Sequence, residues 1–245
     1  MHRIHIFSIF SLLLIVASVS AQINYTTHQN SFTLNTTNME PHAVEIIDGV
    51  ATMSYSNSAA TINGSPYLSE EFIVGTMTAL NGTVIPGLKY RYDIYGDEMQ
   101  FILNMDTATI NKPLALRSLE IGDQKFQYEV FMLDANRVAT GYFEIIEEGG
   151  YLSILFRREI NLEQDSYVTN YGGGGGTKEF NMKRVNSYYV KLGSSTAQKV
   201  KNKKALLQTL PDHQEEVKRY IKDLHLSIKK GEDMQAIAIY YNSLK

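Results

Sequence analysis

The chain has no cysteine and no tryptophan, and only five prolines among its 245 residues. Without thiols it can form no disulfide, no thiolate nucleophile and no thiolate metal site, so its stability must come from an apolar core. An excess of one charge is also missing. The 23 Lys and Arg against 26 Asp and Glu leave a net charge of −3, too mild to point to nucleic acid or a strongly charged polymer as partner. Beyond Ala21 no apolar run reaches the about twenty residues of a membrane-spanning helix. What the chain does have is 16 Tyr and 10 Phe, residues suited to half-buried positions and aromatic cores.

The N-terminus has the three parts of an export signal: a basic start with Arg3, an apolar run from Ile6 to Val16, and the small-residue exit ASVSAQ. Cleavage after Ala21 is expected, with Gln22 first in the mature chain. No cysteine stands at that point to accept a lipid. The expected product is exported, periplasmic or extracellular and peripheral to the outer membrane, with no transmembrane segment in the mature chain.

The stretch YGGGGGTKEF, Tyr171 to Phe180, has the look of a phosphate cradle but not its chemistry. A P-loop needs glycine, then lysine, then a hydroxyl residue, whereas here Thr177 precedes Lys178 and Glu179 follows it. A dinucleotide fingerprint needs a helix after its glycines, and Thr177 to Leu192 has the pattern of a strand or hairpin. The run is therefore expected to be a flexible loop between two strands, and no cofactor is expected.

Four regions are expected: a signal peptide (1–21), an Asn/Thr-rich arm with edge strands (22–63), an antiparallel β domain (64–192) and a helical region (193–245). In LKYRYDI, Leu88, Tyr90, Tyr92 and Ile94 share one face while Lys89, Arg91 and Asp93 share the other, a period of two. Turn signals at Asn81-Gly82, Gly96-Asp97, Asp134-Ala135-Asn136 and Glu148-Gly149-Gly150 separate such runs, so a meander of consecutive antiparallel strands is predicted, as an open sheet or a partly closed sandwich or barrel. After Leu192 the period changes. AQKVKNKKALLQTL, PDHQEEVKRYIKDLHL and the segment after Ser227 predict three helices, with Val217, Tyr220, Ile221 and Leu224 as the buried stripe of the second. The fold class predicted is α+β.

The stretches SPYLSEEFIVGTMTALNGTVIPGLKYRYDIYGDEMQF and VKRYIKDLHLSIKKGEDMQAIAIYYNSL, with the strand Gly141-Tyr142-Phe143-Glu144, resemble secreted or envelope proteins of Bacteroidetes that have no assigned function. The resemblance covers most of Ser65 to Lys245. It implies a bacterial envelope setting and a β region followed by helices, and it brings no catalytic residue with it.

Three sets of residues are candidates for function. Asp93, Asp97, Glu98 and Glu144 are the only carboxylates resembling a hydrolase set, with Asp93 and Glu144 the pair to test; a glycosidase pair needs about 5–9 Å between them. The turn acids Asp97 and Glu98 are expected to face water, and Glu144 to lie on the solvated side of its strand. Tyr95, Tyr128, Tyr142 and Tyr151, together with Tyr188 and Tyr189, cannot all point inward from alternating strands, so either helices cover them or they form a binding surface, for which the first four are the candidates. Lys199, Lys201, Lys203 and Lys204, joined by Lys218, Arg219, Lys222, Lys229 and Lys230, form a basic run that is either the solvated face of the helical layer or a contact for acidic glycans, lipid headgroups or an acidic partner protein. His213 and His225 lie too far apart on a helix, about 18 Å, to share a metal. Ser194 and Ser195 lack the order of a nucleophile elbow. The function expected is that of a non-catalytic envelope binding or scaffold protein for a protein or glycan. The alternative is a carboxylate-dependent hydrolase acting on a glycan or peptide.

Overall fold

The computed structural model describes residues 31–35, 45–47, 50–55, 58–168 and 177–245. The expected signal segment and the five glycines at 172–176 lie outside the described residues. In chain order the strands are β1 (Ser31–Asn35), β2 (Glu45–Ile47), β3 (Val50–Tyr55), β4 (Ser58–Asn63), β5 (Ile73–Ala79), β6 (Val84–Asp93), β7 (Glu98–Leu103), β8 (Asp106–Thr109), β9 (Leu116–Ile121), β10 (Gln124–Met132), β11 (Val138–Glu147), β12 (Leu152–Val168), β13 (Thr177–Leu192) and β14 (Gln198–Lys199). Three helices follow: α1 (Lys203–Thr209), α2 (Gln214–Asp223) and α3 (Gly231–Ser243). The chain is α+β: one mixed, mainly antiparallel sheet that does not close into a barrel, then a helical layer.

The sheet runs β1-β2-β3-β4-β13-β12-β11-β10-β9-β5-β6-β7-β8, with β4 parallel to β13 and β1 touching β3 in parallel. The consecutive meander predicted from the turns is broken once. From β8, at the sheet edge, the chain returns through a 3-10 turn at Pro113–Ala115, and β9 pairs with β5 on the side away from β6. This register puts Leu119 and Ile121 opposite Met77 and Gly75 and buries both of these β9 side chains. Burial of that apolar face outweighs the shorter loop that strict chain order would have used.

Along the ladder β6 is separated from β11 by β5, β9 and β10, yet the Tyr92 ring lies 5.8 Å from that of Tyr142 and 5.7 Å from that of Phe126. The sheet must therefore curl, bringing the β6–β7 hairpin over β10 and β11. Inside the curl lie Tyr90, Tyr92, Ile94, Met99, Leu119, Phe126 and Tyr142.

The helices cover the other part of the sheet. Leu152, Ile154 and Val190 from β12 and β13 pack with Leu206, Leu210, Val217, Ile221, Met234, Ile237, Ala238 and Tyr241. Of the stripe expected on α2, Val217 and Ile221, four residues apart, are buried, Tyr220 is half-buried and stacked on Tyr240, and Leu224 is exposed. Glu215 and Glu216 sit in its first turn, where they complement the helix dipole. At the end of α3, the Asn242 amide accepts the N–H groups of Tyr151 and Leu152 and donates to the Leu152 carbonyl, pinning the last helix to the start of β12.

The first predicted helix begins later than its pattern suggests. Ala197 exchanges backbone bonds with Val130 and Met132, and Gln198 and Lys199 pair with β13. The helix starts only at Lys203, behind Asn202, whose side chain accepts the Ala205 N–H at 2.8 Å. A sheet edge with open hydrogen-bonding groups captures these residues despite their helical spacing.

Candidate functional site

Asp97 was expected to face water, but its carboxylate is turned into the protein. Its backbone is left-handed at φ 52°, which aims the side chain at a gap between β11 and β12. Those strands pair only where Glu144–Glu147 meet Ile154–Phe156, and Tyr142 in the unpaired part lacks a strand partner on that side. Asp97 and Arg157 supply one. The Tyr142 N–H donates to Asp97 Oδ1 at 3.2 Å, and Arg157 Nη1 donates to the Tyr142 carbonyl at 3.3 Å. The two side chains join through Arg157 Nη2 and Asp97 Oδ2 at 3.1 Å, and the Tyr92 hydroxyl donates to Asp97 Oδ1 at 2.7 Å.

The guanidinium also lies over the rings of Phe131 and Phe143. Burial opposes the Arg157 charge, but Asp97, Tyr92 and Glu159 more than offset it and hold the group firmly protonated. Gly141 makes the arrangement possible. A Cβ there would lie 2.0 Å from Arg157 Nη1 and 2.6 Å from Asp97 Oδ2. The pair is a side-chain splice in a split sheet, with its hydrogen-bonding capacity spent on the backbone, on Tyr92 and on Glu159.

The carboxylates Asp93 and Glu144 share no bonded partner. Glu144 accepts from Gln124 and is ion-paired with Arg158, its side chain only 15% exposed. It is not on a solvated face, because its strand neighbours Phe126 and Phe156 hold that face inside the curl. Asp93 accepts the Gly96 N–H at 2.9 Å and stands opposite Glu98 across the β6–β7 ladder. Burial pushes the Asp93 carboxyl up to about 6; Glu98 adds to this, while the Gly96 amide and Arg91 work against it. Arg91, expected on the polar face, is buried between the Tyr67 and Phe72 rings and bonded to Gln100.

The four tyrosines are scattered. Tyr142 is 2% exposed inside the curl, and Tyr128 lies edge-on to it with its hydroxyl on Thr140. Tyr95 is on the surface of the β6–β7 turn, and Tyr151 is exposed at the far end of β12 beside Lys245. They do not form one surface.

Two of the four candidate lysines come together with others. Lys203, Lys204, Leu207 and Gln208 of α1 face Gln214, Glu215, Lys218, Ile221 and Lys222 of α2, with His225 just beyond, across an open groove of about 720 Å³. Lys199 lies in β14, and Lys201 is exposed ahead of α1. Within the groove Lys218 is bonded to Glu215 at 3.1 Å, whereas Lys203, Lys204 and Lys222 form no ion pair among the described residues.

The placement of Lys203 and Lys204 is locally unfavourable. They occupy the first turn of α1, where the helix dipole is positive and no acidic residue offsets them. The apolar part of the lining, the partly buried Leu207 with Ile221 buried behind it, comes from residues that the sequence marks only as core. Helical spacing reveals which face is apolar, but not that two such faces would diverge and leave a cleft.

Among the described residues no group of three or more His, Asp and Glu could hold a metal ion, and no helix is long and apolar enough to cross a membrane. No family model, no curated protein and no solved structure matches the chain.

Proposed function

We propose that this chain is a non-catalytic secreted or periplasmic binding protein of the bacterial envelope, and that it holds an acidic partner in the groove between α1 and α2. One observation carries the reading: three lysines that form no ion pair among the described residues line a groove beside the partly buried Leu207, two of them at a helix end that repels them. Local rules of stability tend to be broken where a surface has another task. An anion in the groove would relieve both the mutual repulsion of the amines and their conflict with the helix dipole. A photo-crosslinking residue at Gln208, which lines the groove, is expected to capture a partner in the exporting cell's envelope fraction. The same residue at Thr107 on the β8 edge is expected to capture none. Capture at Thr107 alone would move the binding surface to the sheet.

A second reading, a carboxylate-dependent hydrolase, is favoured by the raised Asp93 carboxyl facing Glu98. An acid held near 6 beside a second carboxylate is the kind of pair that general acid–base chemistry uses. This reading exchanges Glu144 for Glu98 as the second group. Turnover of a glycan and peptide panel that disappears in both Asp93→Asn and Glu98→Gln would support it, and no turnover by the intact chain would remove it.

A further inference from the structure

Resting on the groove reading above, we propose that the occupant is an acidic amphipathic peptide segment of a partner protein. Its aliphatic side chains would lie on Leu207 and on the methylene stems of the rim lysines, and its carboxylates would meet Lys203 and Lys204 on one rim and Lys222 on the other.

The chemistry of the groove favours this occupant over other anions. The lining contains four lysines and no arginine. A phosphate or sulfate is best held by the planar fork of arginine or by converging backbone N–H groups. Here the amines are spread along two helices instead of converging. Gln214 to Lys222 alone covers about 12 Å of helix axis. The N-terminus of α2 gives no anion site, since Glu215 and Glu216 already occupy its first turn.

Charges distributed at about one per helical turn match carboxylates distributed along a peptide. Glu215 on the lining and Glu216, Asp212 and Asp223 close by interrupt the basic surface. A flat anionic membrane or a continuous polyanion would be repelled at these points, whereas a discrete segment can put an apolar or neutral side chain opposite them. The floor adds the apolar half of the recognition. Leu207 is only partly buried, and the methylene stems of the rim lysines extend its apolar surface. A helical or extended segment with leucines three or four residues apart would cover that floor and point its acids outward to both rims.

The test uses the full mature chain and fluorescence anisotropy with three labelled twelve-residue probes. The first alternates leucine and glutamate at helical spacing. The second replaces its leucines by serine, and the third replaces its glutamates by glutamine. The first should bind at least about tenfold more tightly than either of the others. Lys203→Glu with Lys222→Glu, both at exposed positions, should weaken it by a further about tenfold or more, since each exposed ion pair is worth a factor of about 1.4–5 and reversal adds repulsion. The Glu215→Gln variant should strengthen it. Equal binding of the serine probe, or tighter binding of heparin or of vesicles containing phosphatidylglycerol, would overturn the peptide assignment while leaving the groove as an anion site. No difference between the lysine variant and the parent would overturn the assignment whether or not the Gln208 crosslink is found.

Discussion

Beneath the helices, Leu152, Ile154 and Val190 meet the side chains of Leu206, Val217, Ile221, Met234 and Ile237, and few polar atoms are involved. Inside the curl, Tyr90, Tyr92 and Tyr142 carry three hydroxyls into the interior, and Asp97 and Arg157 close the gap beside it. The first region needs only volume to be filled. The second must hold the ion pair and the Tyr92 hydroxyl at fixed positions, while the Tyr90 and Tyr142 hydroxyls are buried without a hydrogen-bond partner among the described residues. Aliphatic contacts are non-directional and tolerate small shifts, whereas an ion pair that has left water depends on its partners being within hydrogen-bond reach. The two regions should therefore respond differently to single substitutions.

The largest difference is expected at the splice. Asp97→Ala leaves Arg157, whose side chain is 9% exposed, with Glu159 at 3.3 Å as its remaining charge partner, and leaves the Tyr142 N–H without an acceptor. A loss of about 3–5 kcal/mol in urea unfolding is expected. Gly141→Ala should cost a similar amount, because its Cβ has no room beside the guanidinium. A loss below about 1 kcal/mol in both would mean that the gap closes by itself.

In the aliphatic region Ile237→Ala should cost about 2–5 kcal/mol through lost burial and a cavity. Ile237→Val should recover most of that, with about 0.5–1.5 kcal/mol remaining. Conservative replacement should not rescue the splice: Asp97→Asn keeps the shape but removes the nearer of the two carboxylates that balance the Arg157 charge, leaving Glu159 alone to do so. If Asp97→Asn is as mild as Ile237→Val, the pair is held by packing and not by charge.

The comparison also shows what the sequence makes legible. The period of two in LKYRYDI and the turn signals at Asn81-Gly82 and Gly96-Asp97 are local properties, and β5, β6 and β7 follow them. The helix pattern is local as well, and α2 and α3 appear where it places them. The splice is not local. Asp97 and Arg157 are sixty residues apart, and nothing near either one announces the other. The one available signal was Gly141, since a glycine inside an otherwise apolar strand marks a close approach. The basic run was visible, but its division into groove lysines and others depends on where β14 ends and α1 begins. That boundary was decided by an open sheet edge, a tertiary feature.

A smaller effect with a distinctive pH dependence is expected at Asp93. Its folded-state carboxyl titrates near 6, above its ordinary value of 3.8, because of burial and then Glu98. The folded state therefore binds this proton more tightly than the unfolded chain does. The contribution favours folding below about pH 4 and is lost as pH rises through about 6, amounting to about 3 kcal/mol. Asp93→Asn should keep the bond from the Gly96 amide, leave stability nearly unchanged at pH 4 and raise it by about 2–3 kcal/mol at pH 7.5. The difference between the two proteins is the readout, since the carboxyls of Asp212 and Glu216, held down by Lys245 and by the α2 N-terminus respectively, give an opposite slope at lower pH in both. A difference that does not vary between pH 4 and 7.5 would mean that Asp93 stays ionised inside the protein.

The smallest effect concerns one oxygen atom. The Tyr142 hydroxyl is buried with no hydrogen-bond partner among the described residues, and burial, with Asp97 and Tyr128 nearby, pushes its ionisation far above the ordinary range. The Tyr92 hydroxyl, in the same cluster and with its ring 5.8 Å away, donates to the Asp97 carboxylate. Removing a buried hydroxyl that has no partner relieves a desolvation cost, whereas removing one that serves a charged acceptor forfeits about 1.5–3 kcal/mol. Tyr142→Phe should therefore be neutral or stabilising by up to about 1 kcal/mol, and Tyr92→Phe should destabilise, although both remove the same atom from the same core. Thermal unfolding of the two variants side by side cancels the ring and volume terms and leaves the hydroxyl alone. If Tyr142→Phe costs as much as Tyr92→Phe, its hydroxyl has a partner, and a buried water inside the curl would be the group to look for by crystallography.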